Sequence, residues 1–377
     1  MVYGLKVEYF VINPKTEYQV FFVREEEFKR FLSDLNATMD SGRIPRYAIF
    51  GGYGFGKTQA LLHLKHELTS RADCVYVETP SCHRRTRFVE FYRSIINAFG
   101  RQTVIETLTK GINLIQQSKK SASEIGLSEE LANIVSKAIA TSQQFLLWRW
   151  IVGQKLSATE AAGIESVKRE LADEDAVAIL EALAILNVRF NKKPLLLLID
   201  EFENTGHISG DARLTFTEAV RSLVDEGSHV GVVFAATARS MAELPSAIED
   251  EPVKRRIGIT NYIPFKEYSE TELDQFVLQV ISYRREKEFD VKKAVSALSL
   301  KETVTEATYP FTRDAIDEIV RSVVLFKEQG KIDGVRPKEA LEIMDKGLRM
   351  AIEKKSPAIS KDIILAVRDQ VVEALSL

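Results

Sequence analysis

Apolar positions along the chain follow two rhythms. Short, nearly unbroken apolar runs stand at Tyr47-Ala48-Ile49-Phe50, Cys74-Val75-Tyr76-Val77, Leu195 to Ile199 and Gly231 to Ala236, with a shorter one near Asn261-Tyr262-Ile263. Runs of this kind predict strands buried on both faces. Between them apolar residues recur at helical spacing, as in Ala60, Leu61, Leu64 and Leu68. Strands alternating with helices predict an α/β fold with a parallel five-stranded sheet covered by helices. Upstream, Val7 to Val23 predicts short strands and turns, and an amphipathic helix begins within Arg24-Glu25-Glu26-Glu27-Phe28-Lys29-Arg30-Phe31-Leu32.

Two regions carry only the helical rhythm. Residues 100–190 lack strand signals, are punctuated by Gly153 and Gly163, and contain Trp148 and Trp150. They predict a helical insertion between the second and third strands. From Ser269 onward the chain reads as helix. Ser269 with Glu272 forms a capping box ahead of Leu273, Phe276, Val277, Val280 and Ile281 on one face. Further helices fit 313–328, ended by Gly330, then 337–353 with Pro337 in the first turn, then Ser360 to the C-terminus. A core at 1–268 and an all-helical lid at 269–377 are expected.

Composition narrows the function. With 45% apolar residues in 377, a sizeable core is expected, and the net charge of −3 excludes a wholly basic nucleic-acid coat. Any DNA contact must come from a local patch. No apolar run reaches membrane-spanning length, and no signal-peptide pattern opens the chain. Cys74 and Cys82 form neither a disulfide framework nor a metal-ligand spacing. A cytoplasmic location is expected.

The first predicted strand leads directly into Gly51-Gly52-Tyr53-Gly54-Phe55-Gly56-Lys57-Thr58, followed by Gln59 and a helix. This is the phosphate-binding G-x-x-x-x-G-K-[ST] pattern (Walker A) in its required context. Glycines let successive backbone N–H groups face one anion, and the helix N-terminus adds partial positive charge. Lys57 is expected at the β- and γ-phosphates of ATP, and the Thr58 hydroxyl on Mg²⁺.

The all-apolar run Leu195 to Ile199 ends in Asp200-Glu201. A buried strand holds Asp200 rigidly at the carboxyl edge of the sheet, where it can bind Mg²⁺ (Walker B). Glu201 is placed to polarise an attacking water, with Glu203 as the next candidate. The two acids predict hydrolysis as well as binding. The fourth strand ends at Ala236-Thr237-Ala238-Arg239, where Thr237 can orient the water.

The ordered set of P-loop, Asp200-Glu201, Thr237, basic residues before the fifth strand and a helical lid resembles the AAA+ P-loop ATPases over nearly the whole chain. Within them it is most similar to the initiator-type branch, the origin-recognition and replication-licensing ATPases. Val23-Arg24-Glu25-Glu26-Glu27 resembles their Arg-Glu box, which implies that Arg24 lies against the adenine. Pro264 to Leu273 resembles their approach to the lid. A shorter stretch, Leu146 to Glu203, resembles the ATP-binding proteins of phage-exclusion (BREX) systems, through Trp150-Ile151-Val152-Gly153 and Ile199-Asp200-Glu201-Phe202-Glu203.

The AAA+ resemblance implies an arginine finger that completes a neighbouring subunit's site, and hence a homo-oligomer. In Val253-Lys254-Arg255-Arg256-Ile257, Arg256 is the first choice and Arg255 the second. It also implies a second sensor at the start of the third lid helix. The family has Pro-Arg there; this chain has Pro337-Lys338, with Arg336 one place earlier. The basic loop His83-Arg84-Arg85-Thr86-Arg87 fits contact of Arg84, Arg85 and Arg87 with a nucleic-acid backbone, or a solvated loop that starts a helix. Initiator relatives carry a winged-helix domain after the lid. Here one helix follows, so no separate base-reading domain is expected.

The resulting expectation is an ATP- and Mg²⁺-dependent ATPase. It would act as a nucleotide-gated oligomeric assembly or remodelling factor in a DNA-linked process: genome defence, mobile-element control or replication. A partner protein is expected on the 100–190 insertion, with no membrane contact. A slowly hydrolysing signalling switch and a nucleic-acid translocase stay open as alternatives.

Overall fold

The apolar runs become the strands of one five-stranded sheet, in the order β2-β3-β4-β1-β5. The computed structural model describes residues 2–18, 25–118, 121–165, 168–298 and 304–375. Its elements are α1 (Glu25–Asp40), β1 (Arg46–Gly51), α2 (Lys57–Glu67), β2 (Asp73–Glu78), α3 (Phe88–Phe99), α4 (Arg101–Ser118), α5 (Glu129–Ala140), α6 (Gln144–Ile151), α7 (Ala158–Gly163) and α8 (Asp173–Asn191). There follow β3 (Leu195–Asp200), α9 (Asp211–Leu223), β4 (Val230–Thr237), α10 (Ser246–Glu249), α11 (Glu251–Ile257), β5 (Tyr262–Phe265), α12 (Glu270–Arg284), α13 (Val291–Ser296), α14 (Arg313–Glu328), α15 (Pro337–Glu353) and α16 (Lys361–Leu375).

Each expected strand is present, and β2 is longer than its apolar run because the flanking Asp73 and Glu78 still pair with Leu195 and Asp200. β2, β3 and β4 are parallel neighbours, and their register sets Glu78 beside Asp200 at the carboxyl ends. All six residues of β3 are buried, as its uninterrupted apolar sequence requires. The insertion between β2 and β3 is helical, built from α3 to α8.

By its internal contacts the chain divides into two compact units: Met1–Lys29, Gly51–Gln59 and Phe265–Leu377 form one, and Arg30–Phe50 with Ala60–Pro264 the other. In the second, a run of aromatic contacts joins the sheet to the helices. Phe202 packs on Phe234 of β4 with centroids 4.7 Å apart and on Phe91 of α3 at 6.0 Å, and Phe91 meets Phe216 of α9 at 5.7 Å. Trp150 of α6 is buried, and its indole N–H donates to the Lys168 carbonyl at 3.1 Å.

In the first unit, α12, α14, α15 and α16 share a core that includes Phe276, Ile319, Phe326, Met344 and Val367. The capping box is formed: the Ser269 hydroxyl accepts from Glu272 N at 3.2 Å, and the Glu272 carboxylate accepts from Ser269 N at 2.7 Å. Of the short strands expected from Val7 to Val23, none is found at the described residues 7–18, and 19–23 lie outside the described residues. A single turn at Val2–Gly4 and an isolated bridge between Leu5 and Arg285 precede this stretch. The arm's polar backbone is satisfied by the helical core. Lys6 N donates to the Arg284 carbonyl at 2.8 Å, and Phe10 N to the Asp345 carboxylate at 2.9 Å. Leu5 and Phe10 bury their side chains singly in that core.

Candidate nucleotide site

The first unit carries the P-loop. Gly54 and Gly56 adopt φ +79° and +91°, a region that favours glycine and turns the backbone N–H groups inward. Lys57 is buried at the first position of α2, and its Nζ donates to the carbonyls of Gly51 and Gly52, both at 2.9 Å. Phe55 is buried, Tyr53 is 56% exposed, and Thr58 is half-buried. Gln59 donates from its side-chain amide to the Glu17 carbonyl at 2.9 Å, which ties the N-terminal arm to the end of the loop.

The start of α15 meets this loop. Arg336 is buried, forms an ion pair with the fully buried Glu339 at 2.7 Å, and donates to the Tyr53 carbonyl at 3.1 Å. The Tyr53 ring lies under two cations, 5.4 Å from Arg336 Cζ and 4.9 Å from Lys338 Nζ. Both expected sensor residues are therefore at the P-loop, in different states: Arg336 is locked, while Lys338 is more exposed, 3.9 Å from Glu342. The role of Arg24 cannot be followed, because that residue lies outside the described ones.

The second unit carries the acidic strand end. Asp200 is 3% exposed; its Oδ1 accepts the Glu201 N–H at 2.9 Å and its Oδ2 accepts the Tyr76 hydroxyl at 2.9 Å. Each oxygen keeps a second lone pair, so the carboxylate can still take Mg²⁺ or a metal-bound water. Tyr76 also reaches Glu78 at 3.3 Å. Burial, then Asp200, pushes the Tyr76 hydroxyl far above its ordinary range, so it stays a proton donor.

Glu201 leaves β3 in the left-handed region, at φ 53° and ψ 35°. A side chain there costs about 1–3 kcal/mol, and such strain clusters at functional sites. The conformation turns the exposed carboxylate away from the strand, while Phe202, next in sequence, is anchored in the aromatic core. Burial, and then the charges of Asp200, Glu78 and Glu203, raise the Glu201 carboxyl above the usual range; a bond from Asn204, at 3.5 Å, opposes this. Asn204 is itself held by the Thr79 carbonyl at 2.9 Å. Thr237 ends β4 half-buried, and its N–H donates to Glu203 at 2.9 Å, so Glu203 links the two strand ends. Among the described residues no group of three or more His, Cys, Asp or Glu is arranged to hold a metal by itself.

The two finger candidates differ sharply. Arg256 is braced inside its own chain, to Asp225 at 2.9 Å and to the Pro252 carbonyl at 3.0 Å. Arg255 has a side chain 79% exposed and only a 3.3 Å contact with Glu251, one turn back. Of the two, Arg255 is the one more open to solvent. The basic loop is divided as well. Arg84, Arg85 and Arg87 are exposed, but Arg87 is paired with Glu170 and Arg84 donates to the Ser209 hydroxyl at 3.2 Å. Of the three, only Arg87 has an acidic partner among the described residues.

Tyr76, Asn204, Asp225 and Glu339 were not foreseen. Only Glu339 had a visible signal, its i+3 spacing from Arg336 on a helix opened by Pro337.

Residues 138–344 match the family described as BREX system ATP-binding protein BrxC/D. No curated protein matches the chain. Among solved structures, the chain is similar to the Aeropyrum pernix ORC2 protein in its ADPNP-ADP complexes: 15% identity, 94% of this chain, 68% of that one, TM-score 0.51. The ADP form of the same protein gives 13% identity, 94% and 69% coverage, and 0.51. The Aeropyrum pernix ORC1 protein in complex with DNA gives 13%, 94%, 66% and 0.49. The chain spans about two thirds of the length of these structures. At such identities the likeness speaks for fold, and the fold is that of the AAA+ P-loop ATPases. The family match extends far beyond the short stretch, Leu146 to Glu203, that resembled it in sequence.

Proposed function

The chain belongs to the BrxC/D family of BREX ATP-binding proteins, matched over more than half its length, and from that premise we propose that it is a Mg²⁺-dependent ATPase working as a nucleotide-gated assembly factor in a DNA-linked process of genome defence. The observation that carries the reading is the P-loop: a buried Lys57 clamped by two loop carbonyls, between inward-turned glycine amides and a helix N-terminus. A cation so held gains most by exchanging the carbonyls for phosphate oxygens.

In this reading the loop amides from Gly51 to Thr58 bind the phosphates, and Lys57 takes the β- and γ-phosphates. Thr58 and Asp200 are the residues to hold Mg²⁺, whose chemistry is to neutralise charge on the phosphates. Glu201 is the base that draws a proton from water, and its raised affinity for protons suits that task. Thr237, with its backbone fixed by Glu203, orients the water. Arg255 is the finger offered to a second copy of the chain, because Arg256 is committed to Asp225. Lys338 is the lid cation free to move to the γ-phosphate. We divide the roles at about residue 268, with the nucleotide-binding core before it and the lid after it, and the insertion at 100–190 recruits a partner.

Phosphate release measured with Mg²⁺, with and without DNA, tests the reading. Turnover stimulated by DNA supports it. Slow turnover indifferent to DNA, with nucleotide retained on the purified protein, replaces it with a signalling switch.

A further inference from the structure

We propose that the helical insertion carries a binding site for single-stranded nucleic acid centred on Phe145, which goes beyond the ATPase reading and stands on separate residues. Phe145 lies in the first turn of α6 and is 58% exposed, while Leu147, Trp150 and Ile151 fill the opposite face of that helix. Two guanidinium groups come within 6 Å of its ring centroid. Arg101 Cζ, from the start of α4, is 5.6 Å from the ring centroid, and Arg149 Cζ, one turn along α6, is 5.9 Å from it.

The two arginines differ in a way that suits a ligand. Arg149 is fixed, by Glu160 at 2.5 Å and by the Gln154 amide oxygen at 3.2 Å. Among the described residues the Arg101 side chain makes neither an ion pair nor a hydrogen bond, and it faces the Phe145 ring. An exposed guanidinium poised over an exposed aromatic face offers a phosphate donor and a stacking platform side by side. Gln144, next to Phe145 on α6, is exposed and uncharged and adds hydrogen-bonding capacity.

The pattern favours a nucleic acid over an apolar protein surface. Leu146 and Trp148, its apolar neighbours on α6, pack against the core, whereas the groups beside the exposed ring are cationic. It favours a single strand over a duplex, because a base must leave its stack to lie on a lone ring. The basic loop at 84–87, by contrast, has one of its three arginines neutralised by Glu170.

The test is fluorescence anisotropy of the full chain with labelled oligo(dT), oligo(U) and a duplex of equal length, at several salt concentrations. The expected result is binding of the single strands more tightly than the duplex. Phe145→Ala should weaken that binding about five- to hundredfold, the range for loss of one stacking platform, and Phe145→Tyr should retain it. Arg101→Ala should lower the log–log salt slope by about 0.7, the single-strand value for one phosphate contact. ATP binding and thermal unfolding of each variant, measured in parallel, should match the parent. No single-strand binding by the parent chain, a preference for duplex, or unchanged affinity in a folded Phe145→Ala variant would overturn the proposal.

Discussion

The guanidinium of Arg336 donates to the backbone carbonyl of Tyr53 at 3.1 Å while ion-paired to Glu339, so the start of α15 is fastened to the P-loop by a buried cation. Lys338, two residues on, faces the Tyr53 ring and forms a loose ion pair with Glu342 at 3.9 Å. Removing each should have a different consequence. Arg336→Ala leaves Glu339 buried without its partner and should cost about 3–5 kcal/mol of stability. Lys338→Ala should cost less than about 1 kcal/mol and act on ATP turnover. Thermal unfolding and phosphate release on both variants separate the roles; equal destabilisation by the two would contradict the assignment.

The arginine pair on α11 makes a parallel case. Arg256→Ala breaks the brace to Asp225 and should show itself in thermal unfolding of the isolated chain. Arg255→Ala should leave unfolding unchanged and lower turnover of an assembled sample about 10³-fold, the typical loss for a missing finger. A mixture of Arg255→Ala with Lys57→Ala subunits should regain partial activity. A co-assembled mixture without recovery would count against a finger acting on the neighbouring subunit.

Tyr76 is expected to position Asp200 through its hydroxyl. Tyr76→Phe keeps the ring and removes one hydrogen bond to a charged acceptor, worth about 1.5–3 kcal/mol. The predicted effect is a higher Mg²⁺ concentration at half-maximal turnover, with ATP binding in the absence of metal unaltered. An unchanged Mg²⁺ requirement would make Tyr76 a packing residue.

A pH-dependent contribution to stability is expected from the N-terminal arm. Burial raises the Glu17 carboxyl, but hydrogen bonds from Arg284 and from Asn13 N, with the Arg284 charge, outweigh it and hold the group below its ordinary range. Arg284 also donates to the Val11 carbonyl at 2.8 Å and faces the Tyr9 ring at 4.9 Å. A carboxylate with a lowered folded-state pKa stabilises the fold above its unfolded pKa, and that gain is lost as pH falls through the folded value. Denaturant unfolding from neutral to acidic pH should show this loss in the parent and a smaller one in Glu17→Gln. Identical pH profiles would contradict it.

The strands and the P-loop were legible because each depends on local pattern: β3 is apolar at every position before Asp200, and the glycines of the loop sit where φ turns positive. The lid helices were equally plain, from Ser269 and Pro337 at their starts. What could not be read was the pairing across long separations. The brace between Arg256 and Asp225, thirty-one residues apart, has no signal in either local stretch. Of the stretch Val7 to Val23, the described residues 7–18 form no strand, and Phe10 packs into a helical core instead. Tyr76 and Asp200 meet only through strand register, which no single strand reveals. The aromatic–arginine cluster at Phe145 likewise joins α4 to α6 and has no linear signature.

The central claim is that this P-loop binds ATP and Glu201 drives its hydrolysis. The most direct measurement sets ATP binding and phosphate release side by side for the parent chain, Lys57→Ala and Glu201→Gln. The account predicts no measurable ATP binding for Lys57→Ala. It predicts parental binding with turnover lowered about 10²-fold or more for Glu201→Gln, the loss of a general base. Parental ATP affinity in Lys57→Ala, or parental turnover in Glu201→Gln, would contradict it.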